Sequence, residues 1–116
     1  TYHLDEGYFY FRNFENRVLL GGGRNLDFQG EATYSHQTTN FIQDHLERLL
    51  KTVIIPETEF QIEYRWAGTL GLGKAKAPVI SAVNDRVFCG VRMGGMGVAI
   101  GSQAGEDLAE LVLSRN

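Results

Sequence analysis

From Val87 to Leu113 the chain reads V-F-C-G-V-R-M-G-G-M-G-V-A-I-G-S-Q-A-G-E-D-L-A-E-L-V-L. Val87 to Val91 is an apolar strand, and Gly94, Gly95 and Gly97 form a bare turn. Ile100, Ala104, Leu108, Leu111 and Val112 then recur at helical spacing. This reading puts Glu106 and Asp107 early in the helix and Arg115 late, as the helix dipole favours. Glycines at the mouth of a helix let an anionic group approach main-chain N–H donors. The same pattern also serves as a plain tight turn with no ligand, and spacing alone does not choose between the two.

A chain of 116 residues is expected to form one small domain. The formal net charge of -3 speaks against a nucleic-acid footprint, which would be basic. The lone cysteine, Cys89, has no intrachain disulfide partner. No apolar run reaches membrane-spanning length and no signal peptide opens the chain, so a cytoplasmic protein without a membrane partner is expected. Fourteen glycines stand against two prolines and gather at 21–23, 68–73 and 94–101, where they mark turns and close backbone approach.

Taken in order, Tyr8 to Phe14 is an aromatic strand, Glu15-Asn16-Arg17 a polar break, and Val18-Leu19-Leu20 a second strand, together a β-hairpin. Residues 25–37 are polar and irregular, with Tyr34 as an anchor onto the core. A helix begins at Thr38 or Thr39. Its apolar stripe is Phe41, Ile42, His45, Leu46, Leu49, Leu50 and Val53, and Pro56 closes it. Phe60 to Trp66 alternates as a half-buried strand does. After a glycine loop, with Lys74 and Lys76 a short basic spot, Pro78 to Val83 is another strand. Asn84-Asp85-Arg86 turns into the last strand and helix. The order β-β-α-β-β-β-α gives an α+β fold, a mostly antiparallel sheet with two main helices.

Gly95-x-Gly97-x-x-x-Gly101 does not make a dinucleotide-binding βαβ unit, because no second strand with an acidic end follows it. Arg92, just before the turn, carries a planar fork suited to a carboxylate, and Arg24 after Gly21-Gly22-Gly23 has the same chemistry. Both residues also read as surface arginines, and Trp66 reads as core. His45 reads as packed on its helix and Cys89 as inert. His3, His36 and Cys89 have no metal-ligand spacing, so no metal is expected. No Ser/His/Asp order or carboxylate pair stands out.

The ordered set W-A-G at 66–68, P-x-I at 78–80, a hairpin, and G-G-M-G-V-A-I-G-S-x-A-G-E-D-L-A-E-L from Gly94 resembles the carboxyl-terminal third of the D-amino-acid-oxidase-like FAD-dependent oxidoreductases. Upstream, N-R-V-L-L-G-G-G-R at 16–24 is similar to that family's strand ending in paired glycines before a long helix. The resemblance implies FAD as cofactor. It implies oxidation of a C–N bond of a small amine or amino-acid substrate by hydride transfer to flavin. It places Gly94, Gly95, Met96 and Gly97 against the isoalloxazine ring, mostly through main-chain N–H groups. The helix would then face the N1/C2=O edge, where negative charge collects once hydride reaches N5.

The same resemblance implies that residues 1–116 are the C-terminal fragment of a larger protein whose amino-terminal FAD-binding segment is absent here. Such a fragment is expected to be inactive alone. Met96 stands where the family often has histidine, Gly101 where it has proline, and Ala99 where some members have a substrate-binding lysine. Thr69 and Leu70 follow the W-A-G, where many members have arginine. Arg92 is the expected substrate contact, and no catalytic residue is assigned. The competing expectation is a free-standing α+β module that forms a homo-oligomer through its aromatic strand, Tyr8 to Phe14.

Overall fold

The computed structural model describes residues 1–115, which divide into two compact units, Thr1–Thr69 and Leu70 onward. The architecture is α+β, with two antiparallel sheets and two main helices.

The first unit opens on a three-stranded antiparallel sheet, β1 (Tyr2–Leu4), β2 (Phe9–Phe14) and β3 (Arg17–Gly22), in chain order. β2 and β3 are the expected hairpin, in register from Phe14↔Arg17 to Phe9↔Gly22. β1 is a strand that the sequence reading did not anticipate. It is held by the cross-strand pair Tyr2↔Phe11, whose rings stack with centroids 4.9 Å apart. The pleat separates β2 into faces: Phe9 is 5% exposed and Tyr10 43%.

Onto the Phe9 face packs α1 (Asn40–Leu49), entered from Thr39 in extended conformation. The His45 ring stacks on Phe9 at 5.3 Å, and Ile42 and Leu50 are buried. His45 is therefore a packing residue. Burying a side chain of the Phe9 or Ile42 class contributes about 1.5–3 kcal/mol, and this contact fixes the helix on the sheet. α1 runs on through one wider turn, Leu50–Ile54, in which Ile55 N–H bonds back to Leu50 O at 2.9 Å before Pro56.

Three expectations fail in this unit. Phe60 to Trp66 is not a strand. Its alternation is real, but a strand needs neighbouring main chain to satisfy its N–H and C=O groups, and among the described residues none pairs with it. The polar positions anchor it instead: Glu63 pairs with Arg17 at 2.9 Å, and Arg65 bonds to Gln43 at 2.8 Å and to Glu47. Trp66 is 65% exposed, so it is not core, and Tyr34 is 94% exposed, so it is no anchor. Around Tyr34 the chain is organised by short polar bonds, Ser35 N–H to Thr33 Oγ1 and Gln37 N–H to Ser35 Oγ.

The second unit is an antiparallel ribbon with a helix against it. β4 (Val79–Ala82) pairs with β5 (Phe88–Val91) from Val79↔Val91 to Ala82↔Phe88. The turn between them is made by Asn84, whose Oδ1 accepts from the N–H groups of both Arg86 and Val87 at 2.9 Å. Cys89 lies half-buried opposite Ser81, Sγ to Oγ 3.4 Å. α2 (Gly97–Leu113) packs on both strands: Ala104 is buried, and Ile100, Leu108, Leu111 and Val112 are half-buried, as their spacing predicts. Because α2 already starts at Gly97, Glu106 and Asp107 fall in mid-helix and not at its dipole end. Asp107 instead accepts from Gln103 one turn earlier at 2.9 Å. The observed order is β-β-β-α-β-β-α.

Candidate functional site

The link between β5 and α2 is where the second unit departs most from ordinary backbone. Arg92, Gly94 and Gly95 all take left-handed conformations, with φ of 63°, 59° and 86°. For a residue with a Cβ such as Arg92 this costs about 1–2 kcal/mol. Side-chain bonds offset that cost: Nε and Nη2 of Arg92 donate to the Ala77 carbonyl at 3.3 and 3.0 Å. The glycine loop is drawn onto the turn by the same contacts. Gly94 N–H donates to Gly71 O at 3.2 Å, and a Cβ at Gly73 would come within 2.6 Å of Arg92 Nη1. Sequence reading took these glycines as a loop and missed their role as a bed for Arg92. The signal available was three glycines in a loop followed by a lone arginine at a strand end.

The turn's N–H groups divide into two sets. Gly94 is paired with Gly71, and Met96 donates back to Met93 O at 2.9 Å. The N–H groups of Ala99 and Ile100 both reach Met96 O, at 2.9 and 3.0 Å. Those of Gly95, Gly97 and Val98 find no acceptor among the described residues, and Met96 at the cap position supplies no side-chain bond. In front of the turn there is room. A Cβ at Gly94 would meet nothing within 4 Å, and one at Gly95 would reach only Leu70 Cδ1 at 4.0 Å. Val98 is fully exposed. Gly94, Gly95 and Met96 are exposed and Gly97 is half-buried, while Arg92 is tied to Ala77. Three unpaired donors at the positive end of a 17-residue helix can hold an anionic or electron-rich group.

The first unit carries a groove of about 710 Å³, walled by β3, by Leu46, Glu47 and Leu50, and by residues 58–66. Its one shifted titratable group is Glu47. The hydrogen bond from Arg65 holds its carboxyl below the usual range, desolvation opposes this, and the charges of Arg65 and Lys51 add to the lowering. The groove's wall is an ion-pair brace, and no nucleophile–base pair stands in it.

Among known families, residues 1–111 match the one described as FAD dependent oxidoreductase. No curated protein and no solved structure matches the chain.

Proposed function

The chain belongs to the FAD dependent oxidoreductase family, and on that premise we propose that the Gly94–Gly97 turn is its flavin contact, in an enzyme oxidising a C–N bond of an amine or amino acid. The observations that carry this reading are the N–H groups of Gly95, Gly97 and Val98, unpaired among the described residues, and the open space at Gly94. These residues fit the cofactor on that ground: a flat, electron-rich ring edge needs donors and no side chain in its way. FAD, when bound, supplies the acceptor for the hydride lost from the substrate carbon.

The chain's own residues do the rest. The three N–H groups would donate toward the electron-rich edge of the ring, and the α2 dipole would add positive potential there. Such donors are held in place by the fold and need no reorganisation when charge develops. Left-handed Gly94 and Gly95 keep side chains out of the space, and Met96 contributes through its backbone. Arg92 braces the turn through Ala77.

The intact gene product tests the reading. It should purify yellow, and under exclusion of oxygen its visible flavin absorbance should bleach with members of an amine and amino-acid panel. The matching alcohols and 2-hydroxy acids should leave it unchanged. Bleaching by hydroxy compounds alone would remove the C–N assignment, and a colourless protein that takes up no added FAD would remove the site.

A further inference from the structure

We propose that Ile62 to Trp66 is a self-pairing strand: it lies antiparallel to the same segment of a second copy of this chain, about a two-fold axis at Tyr64. The inference is independent of the flavin reading and uses residues of the first unit alone.

The segment is amphipathic in the reverse sense. Its polar positions are tied to the unit's own body: Glu63 Oε2 accepts from Arg17 Nε at 2.9 Å, and Arg65 donates to Gln43 Oε1 at 2.8 Å and to Glu47. The alternate positions, Ile62, Tyr64 and Trp66, are apolar and all three are exposed. A half-buried strand of a single chain does the opposite, with apolar side chains on its own core and polar ones in water. Between residues 58 and 73 the chain makes no turn or bend, and from 62 to 66 no φ is positive. The N–H and C=O groups of these residues have no main-chain partner among the described residues. A straight run with an unpaired backbone and an exposed apolar row has the properties of a free edge strand, which is a template for another strand. The other aromatic strand, β2, already has β1 on one edge and β3 on the other.

The residues themselves point to a second copy as the partner. I-E-Y-R-W has apolar residues at its ends and centre and opposite charges between them. In an antiparallel pair about Tyr64, Ile62 faces Trp66 twice, Glu63 faces Arg65 twice, and the two Tyr64 side chains meet at the axis. Aromatic, aromatic–β-branched and opposite-charge pairs are the favourable cross-strand combinations. Moving the axis to Glu63 would set two carboxylates opposite each other, which is unfavourable. A slip by one residue would turn each apolar row toward the other copy's polar row. The contact is small, so a weak, reversible dimer is expected, with a Kd on the order of 10 µM.

The test uses the intact protein and two readouts. In sedimentation equilibrium, wild type should pass from monomer to dimer across about 1–100 µM. Tyr64→Lys puts two like charges at the axis and should weaken the dimer about tenfold or more, while Tyr64→Phe should leave it intact. Tyr64 is 77% exposed, so both variants should keep the wild-type thermal midpoint. The register is read by cross-linking in a Cys89→Ser background. Directly opposed positions lie within disulfide reach, so Tyr64→Cys should form a covalent dimer on oxidation with diamide. Ile62→Cys should not, because its counterpart lies about 13 Å along the partner strand. Mixed with Trp66→Cys, however, it should cross-link. A wild-type protein that stays monomeric throughout this range overturns the proposal. So does a Tyr64→Lys variant that dimerises as wild type does, or cross-linking of Ile62→Cys to itself as readily as Tyr64→Cys.

Discussion

A Cβ at position 22 would lie 2.0 Å from the Tyr8 carbonyl oxygen, on a backbone whose φ of 116° already excludes most side chains. Gly22→Ala is therefore expected to destabilise the first unit by about 3 kcal/mol, as strain and overlap combine, read as a lowered denaturant midpoint. Glu47 and Arg65 give a pH-dependent counterpart. The folded state lowers the Glu47 pKa, chiefly through the Arg65 hydrogen bond. Its stabilisation is thus complete above the ordinary carboxylate range and is lost as pH falls through the lowered value. Both side chains are partly exposed, so Arg65→Gln should remove no more than about 1 kcal/mol at neutral pH, and the difference from wild type should vanish in acid. At this scale the sequence was legible where chemistry is local. The stacking of His45 and the turn-making of Asn84 follow from neighbours and spacing. The embrace of Arg92 by Gly71, Gly73 and Ala77 did not, because it joins positions whose only common property is the absence of bulk.

α2 shows what periodicity can and cannot settle about an element. The apolar stripe from Ile100 to Val112 fixed the face that meets β4 and β5, since burial at every third or fourth residue leaves one solution. The helix follows the glycine turn as read, but Glu106 and Asp107, expected early in it, lie in mid-helix, because the helix already starts at Gly97 without a side-chain cap. Substitutions on neighbouring positions should separate the two faces. Ala104 is 3% exposed, so Ala104→Leu overpacks the seam and should cost about 1–3 kcal/mol. At exposed Gly105 an added Cβ meets nothing within 4 Å, so Gly105→Ala should stabilise by about 0.5–1 kcal/mol through helix propensity alone. Thermal midpoints of the two variants should move in opposite directions. The misread segment Phe60 to Trp66 fails for the complementary reason. Alternation reports a strand's two faces and says nothing of whether main chain lies alongside to pair with it.

Among the described residues much large apolar surface stays in contact with solvent: Val98 is fully exposed, and Tyr64, Leu113, Trp66 and Val83 are 77, 73, 65 and 65% exposed. Isolated exposed apolar residues are ordinary, but this many on a short chain favour association. Residues 1–116 expressed alone should therefore sediment as concentration-dependent oligomers, and a monodisperse monomer at high concentration would refute that expectation. Within the described residues no helix is long and apolar enough to cross a membrane. Family membership was readable because the glycine turn, W-A-G and P-x-I stand in one order along the chain. The arrangement of N–H donors around that turn was not, since it depends on which carbonyls happen to lie near.

Whether those free donors and the room at Gly94 hold FAD is tested most directly by the flavin-to-protein ratio of the intact gene product, compared between wild type and Gly94→Val. The added side chain would project into the open space at a strain of about 1–2 kcal/mol. Wild type should carry about one FAD per chain, and the variant, still folded by circular dichroism, should lose most of it. A Gly94→Val protein that keeps its full complement of FAD would contradict the placement of the flavin at this turn.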